Sequence, residues 1–190
     1  PAGIVVKTGP GTKRFETGDR VLIYHISGCG VCNDCRRGFM ISCTSKHRQA
    51  YGWQRDGGMA DYIIAEEKDL LLLPDGLTYT DGAQIACGFG TVYEGLEKIG
   101  ISGNDAVLVI GLGPVGLATL MLAKAMGAEK LIAFDVVAER VQLAKDLRLV
   151  NHAFLSDNKS FEKVKLLTNG MGCEKTVDTS GNSIGRQLAI

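Results

Sequence analysis

The sequence predicts a mostly β segment followed by an α/β segment built on a parallel sheet. Up to about residue 85, short β-branched runs are separated by turn residues and no long helical pattern appears. From Ala83 onward strand and helix patterns alternate, which at this pitch means βαβ units. Within the β segment, four of the six cysteines crowd into the stretch 29–43, the mark of a loop held by something other than apolar contacts.

Taken in order, "AGIVV" is a β-branched run, and a Gly-Pro-Gly turn and a polar loop lead to a second run over 20–25. Gly18 and Asp19 supply the turn ahead of it. Further strands are expected at 61–65 and 70–73, before a Pro-Asp-Gly turn. The pattern then gives a helix over 90–99, the strand "DAVLVI", a helix over 114–126, the strand "KLIAFD" and a helix over 138–147 carrying Val141, Leu143, Ala144 and Leu147. "HAFL", a helix over 160–168, "KTVDTS" and the start of one more helix complete the alternation. Residues 106–123 are uncharged and long enough to suggest a membrane span. "GLGPVG" interrupts them, so a buried strand turning into a buried helix is the better reading.

The chain has 190 residues, 45% of them hydrophobic, with 21 basic and 21 acidic side chains. A formal net charge of zero lacks the footprint of a nucleic-acid binder or of a protein of anionic membrane surfaces. No nucleic-acid or membrane partner is therefore expected. The 25 glycines against 4 prolines indicate tight turns and close backbone approaches. No signal peptide is visible, and the full apolar complement argues against a secreted disulfide framework. A reducing, cytoplasmic setting follows, with the cysteines free to ligate metal.

Cys29, Cys32, Cys35 and Cys43 follow C-x2-C-x2-C-x7-C, with Gly28, Gly30 and Gly38 available for the turns. Four thiolates suit tetrahedral Zn²⁺ in a closed, structural shell. Two disulfides and an iron–sulfur cluster are the alternatives, and ferredoxin spacing would bring the fourth cysteine after three residues with proline behind it. Gly111, Gly113 and Gly116 form G-x-G-x-x-G between a strand and a helix, the context of a dinucleotide fingerprint. Gly111 makes the tight turn, Gly113 admits the pyrophosphate to the backbone and Gly116 lets helix and strand pack closely. Pro114 stands in the first helical turn, where its missing N–H costs nothing. Asp135 ends the next strand, placed for the ribose hydroxyls and against a 2′-phosphate. NAD is expected over NADP, with Arg140 as a group able to contact the ribose or accommodate a phosphate. Glycines serving only a sharp turn, with Asp135 as a helix cap, is the plainer alternative.

Together "GDRV", the four-cysteine lobe, "GGMADY", "IACGFGTVYEGL", "GLGPVG", Asp135 and "VDTSG" resemble the medium-chain, zinc-dependent alcohol dehydrogenase family. The resemblance implies part of a GroES-like catalytic β-barrel domain over 1–86, carrying the structural zinc lobe, and the N-terminal part of a Rossmann NAD-binding domain over 87–190. It implies that Cys87 is the third ligand of a catalytic zinc, whose other ligands have no counterpart here. Thr91, Val115, Thr179, Ser180 and Gly181 match cofactor-contacting positions, and His25 and Trp53 match places lining the substrate pocket. The ends read as cut, so the resemblance implies an internal fragment of a chain of roughly 340 to 350 residues. The fragment is expected to be inactive alone. The complete enzyme would take a small alcohol or polyol, pass hydride to NAD and form a homodimer or homotetramer. A zinc-stabilised dinucleotide-binding module without catalysis and a zinc-free quinone or enoyl reductase stand as alternatives.

Overall fold

In the computed structural model, which describes residues 1–190, the β-branched runs of the first half pair into small antiparallel sheets. Strands β1 (Ala2–Ile4), β2 (Arg20–Ile23), β3 (Ile26–Ser27), β4 (Gln49–Ala50) and β5 (Leu70–Leu72) follow one another, with a short helix α1 (Asn33–Arg36) between β3 and β4. One sheet has the order β1-β2-β5, and β3 pairs with β4. Leu22 stands opposite Ala2 on one side and Leu71 on the other, and it is buried with Leu73 and Ala86 in a core flanked by Ala2, Leu77 and Ile85. Helix α2 (Tyr79–Gln84) passes through a π-helical turn (Ile85–Phe89) into α3 (Gly90–Ile99). The chain divides into two units, Pro1–Gly90 and Thr91–Ile190.

Three expectations for the first half need correction. The run over 20–25 is two strands, because Tyr24 and His25 break away between β2 and β3. Residues 61–65 form no strand. They lie along a groove shared with Val5, Val6 and Val21, with no ladder partner, and Tyr62 and Ile64 are exposed. Helix begins at Tyr79, well before the change of texture at Ala83, because Thr78 and Asp81 form a capping box: each side chain accepts the other's backbone N–H.

In the second unit the elements are β6 (Ala106–Ile110), α4 (Pro114–Ala125), β7 (Lys130–Asp135), α5 (Ala138–Asp146), β8 (His152–Leu155), α6 (Ser160–Leu167), β9 (Lys175–Asp178) and α7 (Ser183–Leu188). The sheet order is β8-β7-β6-β9 with every pair parallel. Every residue of β6 is buried, as expected of a strand covered on both faces. The strand order reverses between β6 and β9, and ligands of such sheets bind outside the carboxyl ends at that switch point. Helix α5 ends without the glycine that a left-handed cap favours. Arg148 takes that conformation, with φ 53°, and the Leu149 and Arg148 N–H groups donate to Ala144 O at 3.0 Å and Lys145 O at 2.8 Å. No helix is long and apolar enough to cross a membrane.

Candidate functional site

Residues 110–116 leave β6, turn and enter α4. Gly111 sits at φ +89°, and a Cβ there would fall 2.8 Å from the backbone of Ser180, so both conformation and space require glycine. A Cβ on Gly116 would strike the Gly111 carbonyl oxygen and come within 2.9 Å of the Thr179 hydroxyl. Gly113 differs from both, since a Cβ there would meet nothing within 4 Å. It caps α4 through no side chain, Pro114 follows in the first turn, and that turn contains no acidic residue. The helix start therefore presents backbone N–H groups and its positive dipole end without competition.

A cavity of about 260 Å³ opens beside the turn, lined among others by Gly111, Gly113, Asp135, Arg140, Ser156 and Thr179. It lies at the carboxyl ends of β6, β7 and β9. Asp135 is buried, at 5% exposure. Its Oδ2 accepts the Leu112 N–H at 2.5 Å and its Oδ1 accepts the Val137 N–H at 2.8 Å. Each oxygen retains a further lone pair, so the carboxylate both anchors the glycine turn and lines the cavity. The Arg140 guanidinium lies 3.7 Å from Oδ2 and is half exposed. Thr179 directs its hydroxyl into the turn, 2.7 Å from Gly111 O and 3.1 Å from Ile110 O. Ser180 bonds back to Asp178 Oδ1 at 2.6 Å, and Gly181 has φ +65°. Val115 is exposed on α4, and Thr91 is exposed near the start of α3.

The four lobe cysteines converge. Their sulfurs all lie within 4.8 Å of one another. A Zn–S bond of about 2.3 Å sets sulfur–sulfur edges of about 3.8 Å, so the cluster fits one tetrahedral ion. The lobe is wrapped tightly, since a Cβ on Gly28 would fall within 3.1 Å of Met40. Backbone N–H groups serve the sulfurs: Cys32 N donates to Cys29 Sγ at 3.3 Å, Cys35 N to Cys32 Sγ and Cys29 N to Cys43 Sγ, both at 3.5 Å. The N–H groups of Val31 and then Cys32 bring the Cys29 thiol down to about 6, and those of Cys29 and Ser45 lower Cys43. Burial pushes Cys35 up to about 12. Such a set of sulfurs, with thiolate character at Cys29 and Cys43, suits a bound cation.

Other residues singled out in the sequence lie apart from these centres. Cys87 is exposed on the π-helical turn and belongs to no cluster of ligating side chains; the lobe cysteines are the one such group. The His25 ring lies half buried, its Nδ1 3.4 Å from Ala86 O, which brings it beside the segment of Cys87. Trp53 is 81% exposed. Sequence reasoning missed Ser156, Ile184, Gly185 and Leu188 on the cavity wall; Ser156 follows β8 directly, a position the parallel-sheet rule could have flagged. It also missed a polar network next to the zinc lobe. Lys68 Nζ donates to Ser27 Oγ at 2.8 Å and to Glu66, and Glu66 in turn accepts from Arg55 at 2.7 Å. Tyr51 donates to the buried Asp69 at 2.8 Å. Only Glu66, Lys68 and Asp69 are neighbours in sequence; their partners Arg55, Tyr51 and Ser27 lie 11, 18 and 41 positions away.

Comparison with known proteins matches residues 1–75 to the alcohol dehydrogenase GroES-like domain and residues 114–189 to the zinc-binding dehydrogenase family. The zinc-type alcohol dehydrogenase-like protein YphC of Escherichia coli (strain K12) is 53% identical over the whole chain, which covers 54% of that protein. Sorbitol dehydrogenase of Bacillus subtilis (strain 168) is 28% identical over the whole chain, which covers 53% of it. A crystal structure of an NAD-dependent alcohol dehydrogenase superposes with a TM-score of 0.88 at 30% identity, over 99% of this chain and 55% of that one. The chain thus spans about half the length of the curated relatives it matches. A GroES-like segment with a four-cysteine lobe, followed by a Rossmann-type sheet with its glycine turn, makes this chain a member of the medium-chain, zinc-dependent alcohol dehydrogenase family.

Proposed function

We propose that this chain is the part of an NAD-linked alcohol or polyol dehydrogenase that holds the structural zinc and receives the dinucleotide. The observation that carries the reading is the buried Asp135 carboxylate on the wall of the cavity that also holds Gly111 and Gly113. In this reading the open N–H groups from Gly113 to Gly116, with Pro114 and Val115, receive the pyrophosphate. Asp135 accepts the ribose hydroxyls, and its charge disfavours a 2′-phosphate. Arg140 flanks the same ribose. Thr91, Ser180 and Gly181 border the cofactor further along, and His25 and Trp53 belong to the substrate side. Cys29, Cys32, Cys35 and Cys43 hold the structural zinc.

The bound nicotinamide supplies hydride-transfer chemistry, and the protein contributes orientation and electrostatics. Sorbitol dehydrogenase and D-arabitol-phosphate dehydrogenase among the relatives favour an alcohol or polyol as the substrate of the whole protein. A homodimer or homotetramer is proposed for that whole protein. Cys87 is the one candidate ligand of a second, catalytic zinc in these 190 residues, so the chain by itself is proposed to be inactive. Calorimetric titration of the zinc-loaded chain tests the cofactor assignment: NAD binds at least tenfold more tightly than NADP. Equal affinity, or preference for NADP, overturns the role given to Asp135. Alcohol oxidation by the 190-residue chain, free of any longer species, overturns the proposed inactivity.

A further inference from the structure

We propose that Thr179 is a positioning residue for the phosphate-binding turn, fixing from the end of β9 the one peptide group whose orientation sets the turn. The proposal rests on the reading that the cavity takes an adenine dinucleotide, and it assigns Thr179 a role other than contact with the cofactor's reactive end.

That peptide group joins Gly111 to Leu112. Its carbonyl oxygen accepts the Thr179 hydroxyl at 2.7 Å, and its N–H donates to Asp135 Oδ2 at 2.5 Å. The two supports come from strands on opposite sides of β6, since Asp135 ends β7 and Thr179 follows β9. Rotation of this peptide plane would break both bonds at once. Gly111 stands at φ +89°, in a region where glycine is free to move, so its plane needs to be fixed from outside. The hydroxyl has one proton, shared between Gly111 O and Ile110 O at 3.1 Å. Ile110 O also receives the Thr179 backbone N–H at 2.8 Å and stays satisfied without the hydroxyl. Gly111 O is the group that loses its donor. It is also the oxygen that a Cβ on Gly116 would strike, so it is caught between the start of α4 and the end of β9, and any shift of it moves the amides of the helix start.

Because the hydroxyl is spent on the turn, its influence on a ligand passes through the pyrophosphate site. It acts equally on every ligand that carries a pyrophosphate, whatever lies beyond it. The test is titration of the 190-residue chain and its Thr179→Val and Thr179→Ser variants with ADP, NAD and millimolar adenosine. Thr179→Val, which keeps shape and removes the donor, weakens ADP and NAD by the same factor, about tenfold. It leaves adenosine unchanged, and Thr179→Ser restores both affinities to within about twofold. Thr179→Ala replaces Thr179→Val should the latter fail to fold. Loss of NAD alone with ADP unaffected assigns Thr179 to the far end of the cofactor and overturns the proposal. Equal loss of adenosine, or no rescue by serine, reduces Thr179 to general packing and overturns it as well. A wild-type chain that takes up neither ADP nor NAD overturns the dinucleotide reading and the proposal with it. Wild-type binding of both, unchanged in Thr179→Val, overturns the proposal alone.

Discussion

Gly113 and Gly116 stand three residues apart in one motif, yet the structure assigns them opposite duties, and alanine at each separates the two. At Gly116 the new methyl would collide with the Gly111 carbonyl oxygen, reach 2.8 Å from its carbon and 2.9 Å from the Thr179 hydroxyl. None of these is the far end of a flexible side chain that could swing away. Helix α4 and the turn would have to part by about 1 Å to relieve the contact with the Gly111 carbonyl oxygen, and overpacking of this kind costs about 1–3 kcal/mol. For a unit of about 100 residues that lowers the melting temperature by roughly 5–20 °C. At Gly113 the methyl meets nothing within 4 Å, and φ −70°, ψ −173° is a backbone conformation that alanine adopts freely. Gly113→Ala should melt at the wild-type temperature or slightly above it, because alanine lowers unfolded-chain entropy. In the proposed reading, that open space is where a pyrophosphate meets the backbone. Losing one charge-assisted N–H bond there costs about 1.5–3 kcal/mol, a loss of roughly 10- to 100-fold in NAD affinity. Scanning calorimetry and NAD titration on both variants provide the assay. A Gly113→Ala chain that melts as early as Gly116→Ala, or binds NAD as wild type does, refutes this division of labour.

Arg148→Gly should raise stability by about 1 kcal/mol in chemical denaturation, since Arg148 holds the left-handed position at the end of α5 and glycine takes it without strain. Acid should destabilise the fold through four carboxyls held below their ordinary values: Glu66 by Lys68, Glu67 by the backbone N–H groups of Arg14 and Lys13, Asp81 by the Thr78 hydroxyl and Asp157 by Lys163. A depressed carboxyl contributes its stability above the unfolded pKa, near 4, and loses it as the pH falls through the lower folded value. Stability should therefore drop below about pH 4, and Glu66→Gln should lie below wild type at pH 7 but converge with it near pH 2. Removal of zinc by a chelator should raise amide exchange across 28–46 first, because α1 buries no side chain of its own and, in the proposed reading, metal binding orders the lobe. Exchange rising uniformly over the chain would contradict that.

How far the sequence could be read depended on the range over which each feature is encoded. β6, β7 and β8 are legible because each carries an apolar run, and glycine or polar turns separate them from the helices, whereas β9 (Lys-Thr-Val-Asp) is legible only from its place in the alternation. The lobe is legible because the four cysteines that converge lie within a single loop, so spacing alone reports their convergence. The start of α2 is just as local, written in Thr78 and Asp81, but it lies inside a stretch otherwise full of turn signals. Residues 61–65 have the aromatic and β-branched composition of a strand, yet a strand requires a neighbour, and neighbours are not local information. The same holds for Thr179. Its position suggests a cofactor contact, whereas its hydrogen bond to a residue 68 positions away makes it part of the turn. Arg148 shows the reverse case, where the two hydrogen bonds closing α5 outweigh the local preference for glycine.

Native mass spectrometry of the 190-residue chain titrated with NAD tests the central claim most directly. The account predicts one species carrying one zinc ion and, as NAD is added, one dinucleotide per chain, with the zinc lost in a Cys43→Ser variant. A chain that retains no zinc, or a zinc-loaded chain that takes up no dinucleotide, would contradict it.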